Sequence, residues 1–257
     1  MWKVIRITVL LLVLVCVGGT ALFDRINTTS WEKTLWVGIF PLNGDGSAAA
    51  GRYVSGLTVQ DFASLETFFA QEAARYGVKL DRPVRVELYP APRELPPRLA
   101  PHSNALAVMW WSLKMRWYAH EAADVPGHPH SHIRVFVVYH DPAVSETVPH
   151  SLGMQNGLIG VVHAFADGRM AGSNNIVIGH ETLHTVGATD KYDLETGVPI
   201  YPGGYGEPDR SPRFPQRVAE IMAGQRPLSD HEQEMPDSLS DVIVGAQTAR
   251  EIGWTHK

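Results

Sequence analysis

A single cysteine, Cys16, stands in the 257 residues. It excludes an intrachain disulfide and any zinc finger built on thiolates. A metal in this chain must therefore be held by histidine and carboxylate, and the 12 histidines make that feasible. A basic excess is also lacking: 22 Lys and Arg against 27 Asp and Glu leave a formal net charge of −5. That balance argues against a non-specific nucleic-acid binder. Internal repeats and composition breaks are absent too, so nothing marks a second domain. With 44% hydrophobic and 19% charged residues, the composition is that of a globular protein, long enough for one large domain or two small ones.

The N-terminus combines Lys3 and Arg6 with an uncharged run over residues 7–23. The run exceeds a signal-peptide core of ~7–15 residues and falls slightly short of the ~20 that span a bilayer. It reads as a membrane anchor or, with small residues at Gly19 and Ala21, as a cleavable signal. The leading cations orient the rest of the chain outward. The expected divisions are residues 1–23 as anchor or signal, 24–33 as a polar spacer, and 34–257 as the functional domain. Either reading puts that domain outside the cytoplasm, membrane-anchored or secreted.

Residues 35–40 read as a buried strand closed by Pro41 and the NGDG turn at 43–46. Thr58 begins a helix, with Asp61 completing a capping box. Phe62, Leu65, Phe69, Ala73 and Tyr76 follow at helical spacing, and Gly77 ends it. Residues 84–89 alternate as a strand, and a Pro-rich loop runs from 90 to 101. Residues 104–123 read as a second helix, on which Trp110, Trp111 and Trp117 are expected to form a core face. Strands are expected at 133–139, 158–165 and 175–178, and a closing helix at 240–252. The order describes one α/β domain whose mostly parallel sheet precedes a motif-bearing helix.

That motif is HETLH at 180–184. On a helix, residues four apart differ by about 40° around the axis, so His180 and His184 project from one face. Their imidazoles can meet one cation, while Glu181, about 100° away, is placed to act as general base on an activated water. A catalytic zinc takes three protein ligands. Gly187 can end the helix and turn the chain back to bring in Asp190, with Asp193 and Glu195 as rivals further on.

The stretch HETLHTVGATD, residues 180–190, resembles the extended zinc signature of the metzincin clan of metallopeptidases. Most of that clan has histidine as third ligand. The aspartate variant is similar to snapalysin-type enzymes, and the DKYD continuation at 190–193 to immune inhibitor A-type peptidases. The resemblance implies an α/β (α+β) metzincin-like domain: a twisted, mostly parallel sheet packed on helices, then the active-site helix. An irregular C-terminal segment with a methionine turn and a closing helix would follow. It implies Zn2+ as cofactor on His180, His184 and Asp190, Glu181 as catalytic residue, and Met222 in EIMAG (220–224) as the turn methionine beneath the metal. It also implies that residues 158–165 form the edge strand that pairs with an extended peptide or protein substrate. Tyr192, Tyr201 and Tyr205 are candidate oxyanion donors.

The expected activity is that of a zinc metalloendopeptidase. The alternatives are a zinc hydrolase of a cell-wall amide or other non-protein substrate, and an inactive peptide-binding domain of the same fold. Elsewhere, His128, His130 and His132 alternate as if to chelate a metal but read first as a solvated loop. His163 and His231 could line the cleft, and Asp190, Asp193 and Glu195 lack the full calcium-loop pattern.

Overall fold

The computed structural model describes residues 28–100, 103–155 and 157–255, together with Trp2, Arg6 and Thr8. The expected anchor or signal at 1–23 lies outside the described residues, apart from those three. Among the described residues no helix is long and apolar enough to cross a membrane.

The fold is mixed α/β around a five-stranded, mostly parallel sheet. The strands are β1 (Leu35–Asn43), β2 (Val84–Leu88), β3 (Ile133–His140), β4 (Leu152–Met154) and β5 (Ile159–Phe165), in the order β2-β1-β3-β5-β4. Only β4 runs antiparallel to its neighbour. Among the described residues from 30 to 255 the helices that accompany them are α1 (Ala48–Gly56), α2 (Ala63–Arg75), α3 (Ala105–Ala123), α4 (Ala171–Thr185) and α5 (Ala246–Glu251). Short pairs β6 (Ala219–Glu220) with β9 (Val242–Ile243), and β7 (Arg226–Pro227) with β8 (Gln233–Glu234), order the C-terminal part.

The central strands are buried on both faces, which is why they read as near-continuous apolar runs. One face carries Val135, Val137, Val162 and Ala164 against Leu65, Phe69, Ile176, Ile178 and Leu183 of α2 and α4. The other carries Phe40, Phe136, Val138 and Val161 against Met115 and Ala119 of α3. Each buried aliphatic or aromatic side chain contributes about 1.5–3 kcal/mol by leaving water.

Several elements depart from the sequence expectations. β1 runs through Pro41 to Asn43. Residues of the Ile39 parity turn their backbone toward β2, as Tyr89 N–H donating to the Ile39 carbonyl demonstrates. Pro41 falls beyond the end of β2, where its missing N–H breaks no ladder bond. The Thr58–Asp61 capping box forms, with Thr58 N–H donating to Asp61 Oδ2 at 2.7 Å. It opens a 3-10 turn (Val59–Phe62), however, and the α-helix begins at Ala63. α1 was not expected; Ser47 caps it by accepting the Ala50 N–H.

The expected strand at 175–178 is the middle of α4. A short apolar run cannot distinguish a buried strand from a helix that is buried nearly all round, and α4 is such a helix. The closing helix shrinks to Ala246–Glu251, because Val242 and Ile243 pair in parallel with Ala219 and Glu220. The strand at 158–165 is not an edge: β5 lies between β3 and β4, and the short β4 forms the sheet margin. Finally, Trp110 and Trp117 are not core residues but stand 60% and 66% exposed.

Candidate metal centre

α4 is laid along the sheet margin by two glycines that face it. Gly153 of β4 pairs with Gly160 of β5. A Cβ on Gly153 would stand 2.5 Å from His184 Cβ and 2.6 Å from the Glu181 carbonyl oxygen. Only glycine at that position lets the margin strand approach the turn of helix that carries Glu181 and His184. Neither β4 nor this glycine pair was expected. The signal that could have found them is Asn156-Gly157 between two apolar stretches, a hairpin cue.

His180 and His184 leave the same face of α4, and their Nε2 atoms stand 3.0 Å apart. Asp190 Oδ1 lies 3.2 Å from His180 Nε2 and 3.0 Å from His184 Nε2. Among the described residues this is the one group of three or more His, Cys, Asp or Glu side chains arranged to hold a metal ion. Gly187, at φ +106°, ends the helix and turns the chain back toward Asp190.

Each imidazole is oriented through its other nitrogen. His180 Nδ1 meets the Ile221 carbonyl and His184 Nδ1 the Ala188 carbonyl, both at 2.9 Å. A carbonyl can only accept, so both Nδ1 atoms carry a proton, and while the rings are neutral both Nε2 atoms turn lone pairs toward Asp190. Burial works against ionising Asp190, but once an imidazole also takes a proton on Nε2, its hydrogen bond and positive charge prevail and hold Asp190 well below the usual carboxylate range. For His184, burial opposes protonation, yet Asp190 and Glu181 raise its pKa overall.

Glu181 is 5% exposed, and its Oε2 has no hydrogen-bond partner. Burial pushes its pKa up, while the two imidazoles pull the other way. A buried carboxylate oxygen left unsatisfied costs free energy unless something else occupies the site.

Behind the three side chains stands a turn that the sequence marks only partly. Met222 is fully buried, and Ala223 N–H donates to the Glu220 carbonyl at 3.0 Å to close a tight turn. The Ile221 carbonyl in that turn is the partner of His180, and the Met222 carbonyl accepts the Lys191 N–H at 2.9 Å. The turn is held from below by Glu220, a buried carboxylate that sequence reasoning missed. Its Oε2 accepts from Met222 and Ala223 N–H, and its Oε1 from Gly245 N–H and the Thr248 hydroxyl.

A second missed carboxylate, Glu251 of α5, clamps the chain on both sides of Asp190. It accepts from Thr189 N–H at 2.9 Å and from the Lys191 ammonium at 2.7 Å. Lys191 itself is only 4% exposed.

Other expected positions lie elsewhere. Asp193 Oδ1 accepts from the Glu195 and Thr196 N–H groups and so caps its own turn, while Glu195 is exposed. Neither joins the histidines as third ligand, and no calcium cluster with Asp190 forms among the described residues. Tyr192 lies beside the three side chains, with its ring centroid 6.3 Å from that of His180. Burial, Asp190 and Glu181 push its pKa up to about 12. Tyr201 and Tyr205 instead pack edge to face on one another, with Arg213 over the Tyr201 ring and Phe214 beside Tyr205.

His163 belongs to the opposite, α3 face of the sheet, where its Nδ1 is 3.0 Å from His140 Nε2. It lines a cavity of about 290 Å³ with Arg98, Trp111 and His150, and burial with His140 and Arg98 lowers its pKa to about 4. His231 is exposed in the loop between β7 and β8. The 128–132 histidines part company: His128 lies against Glu87 and Tyr89, and His132 Nδ1 accepts the Trp36 N–H.

No protein-family model matches the chain, and no curated protein matches its sequence.

Proposed function

We propose that the protein is a zinc-dependent metalloendopeptidase with a metzincin-like arrangement. It would be anchored or exported through residues 1–23, with its domain outside the cytoplasm. The observation that carries the reading is the meeting of His180 Nε2, His184 Nε2 and Asp190 Oδ1 within 3.2 Å of one another, beside the unpartnered Glu181 Oε2.

The donor set fits zinc. With both Nδ1 protons committed to carbonyls, three lone-pair-bearing atoms face one another, which is favourable only with a shared cation or extra protons between them. Ligand atoms around a tetrahedral zinc at ~2.0–2.1 Å stand ~3.3 Å apart, close to the separations found here. The set of two imidazoles and one carboxylate leaves a position open, as catalytic sites require. A zinc ion held by these residues would polarise a carbonyl and make water a competent nucleophile near neutral pH.

The remaining steps fall to the chain's own groups. An extended peptide can add to the free margin of β4, which runs antiparallel beside Glu181 and His184. Glu181 Oε2 takes a proton from the attacking water as its oxygen bonds to the scissile carbonyl carbon. The same carboxyl then gives that proton to the leaving nitrogen as the C–N bond breaks. Tyr192, whose ring lies 6.3 Å from that of His180, would donate to the developing oxyanion. Ile221 and Ala188, through their carbonyls, keep the histidines in the tautomer that binds metal.

The test is Glu181→Ala in the full chain, assayed on a mixed peptide library with parallel metal analysis. Zinc content should match the parent while hydrolysis disappears. Cleavage at the parent's rate by the variant would overturn the mechanism. Zinc in the parent with no turnover of any peptide would point to a non-peptide substrate or a binding domain.

A further inference from the structure

α3 is apolar on both sides. Its inner face, with Met115 and Ala119, closes the core beneath β3 and β5. Trp111 Nε1 and the Tyr118 hydroxyl tie it to the Pro-rich loop through the carbonyls of Pro97 and Glu94. The outer face carries Leu106, Met109, Trp110, Leu113 and Trp117, all exposed. At about 100° per residue these five fall within an arc of ~100°, opposite Met115, and span ~16 Å along the axis. An exposed stripe of this size, formed by whole large side chains, marks an interaction surface.

Three features of the stripe identify its partner. Lys114 lies ~80° from its centre, where a cation can reach up to headgroups while the apolar face sinks below it. The Lys114 ammonium already stands 5.7 Å from the Trp110 ring centre. No acidic side chain occurs between Asn104 and His120, so nothing on the stripe repels an anionic surface. Two of its five members are tryptophans, the residue favoured at the boundary between headgroups and acyl chains. In addition, the uncharged run at 7–23 follows Lys3 and Arg6 in the same chain. Residues 24–34 that join it to β1 reach at most on the order of 35 Å, which would keep the domain at high effective concentration on a bilayer holding that run.

We propose that the outer face of α3 is a membrane-docking surface. Leu106, Met109, Trp110, Leu113 and Trp117 enter the interface of an anionic lipid bilayer, with Lys114 on phosphate headgroups. The domain then rests on the membrane in one orientation. The α4 site, on the opposite face of the sheet from α3, is turned away from the lipid.

The test uses the full chain carrying Cys16→Ser and one new cysteine for an environment-sensitive fluorophore. Leu113→Cys and Trp117→Cys probe the stripe, and Val59→Cys probes the far side of the sheet. Each protein is reconstituted in vesicles of phosphatidylcholine and phosphatidylglycerol. Expected are a blue-shifted emission, quenching by brominated phospholipid and loss of iodide access at 113 and 117, with none of these at 59. All positions are exposed, and circular dichroism matching the parent certifies the fold. Labels at 113 and 117 that stay open to iodide in vesicles overturn the proposal. So does shielding that brominated lipid does not quench, which would mean the chain's own 7–23 run covers α3. Shielding that depends on protein concentration and not on lipid would mean a second copy, and overturns it equally.

Discussion

Glu220→Gln is the substitution that most directly probes how the candidate centre is held together. The parent carboxylate is fully buried and meets four donors and no acceptor: Met222 N–H at 2.6 Å, Ala223 N–H at 3.1 Å, Gly245 N–H at 3.0 Å and the Thr248 hydroxyl at 2.7 Å. Glutamine keeps the shape but replaces one oxygen by an NH2 group, so one backbone N–H, that of Met222 or of Gly245, loses its acceptor and faces another donor; Ala223 N–H keeps the Glu220 carbonyl, and the Thr248 hydroxyl can turn to accept. Hydrogen bonds to a charged group contribute ~1.5–3 kcal/mol each, so stranding one costs about that much. For a domain of this size, with ~2–4 °C of Tm per kcal/mol, the midpoint should fall by ~3–12 °C. The Ile221 carbonyl that orients His180 belongs to the loosened turn, so zinc affinity should fall by ~10–100-fold as well. Thermal unfolding by circular dichroism and chelator competition on the full chain in mild detergent measure the two effects. A variant that melts within ~2 °C of the parent, a difference under ~1 kcal/mol, would refute the idea that this carboxylate holds the turn.

Other substitutions test neighbouring parts. Glu251→Gln leaves the buried Lys191 without its counter-charge and should destabilise by ~3–5 kcal/mol near neutral pH. Burial opposes the charge on Glu251, but Lys191 and Thr189 prevail and lower its pKa. Its contribution is therefore complete above the ordinary value of ~4.3 and is lost as pH falls through the lower folded value. The gap between parent and variant in denaturant melts should close on acidification below about pH 4, and a gap that widens there would contradict the assignment. Gly153→Ala drives a Cβ into His184 Cβ and the Glu181 carbonyl, so β4 must lift from α4. A loss of ~1–3 kcal/mol is expected, with faster amide exchange in β4, and unchanged exchange would show that the contact is not tight. Asp190→Ala should abolish stoichiometric zinc in metal analysis while leaving the circular dichroism of the parent, and full zinc occupancy would remove Asp190 from the ligand set.

The strongest local patterns were legible without coordinates. Period 3.6 places His180 and His184 on one face, a glycine three residues later turns the chain, and Asp190 then follows at a reach that spacing alone can estimate. The β3 and β5 strands and α2 were readable for the same reason, since each carries its own period or an apolar run with clear stops. Residues 176–178 were not, because an apolar run of β-branched residues fits a buried helix as well as a buried strand.

What only the tertiary structure decided is what lies behind and beside that motif. Glu220 and Glu251 look like any surface glutamate until the chain brings Gly245 and Thr248 to the first and Lys191 to the second from distant positions. Gly153 matters only because α4 rests on it, and β4 is too short to announce itself. The helical spacing of Trp110, Trp111 and Trp117 reads as a core face, yet a helix has two sides and the sheet covers only one. Local sequence can specify which groups share a face. Which face meets protein, solvent or another surface depends on packing between segments far apart in the chain, and no local pattern encodes it.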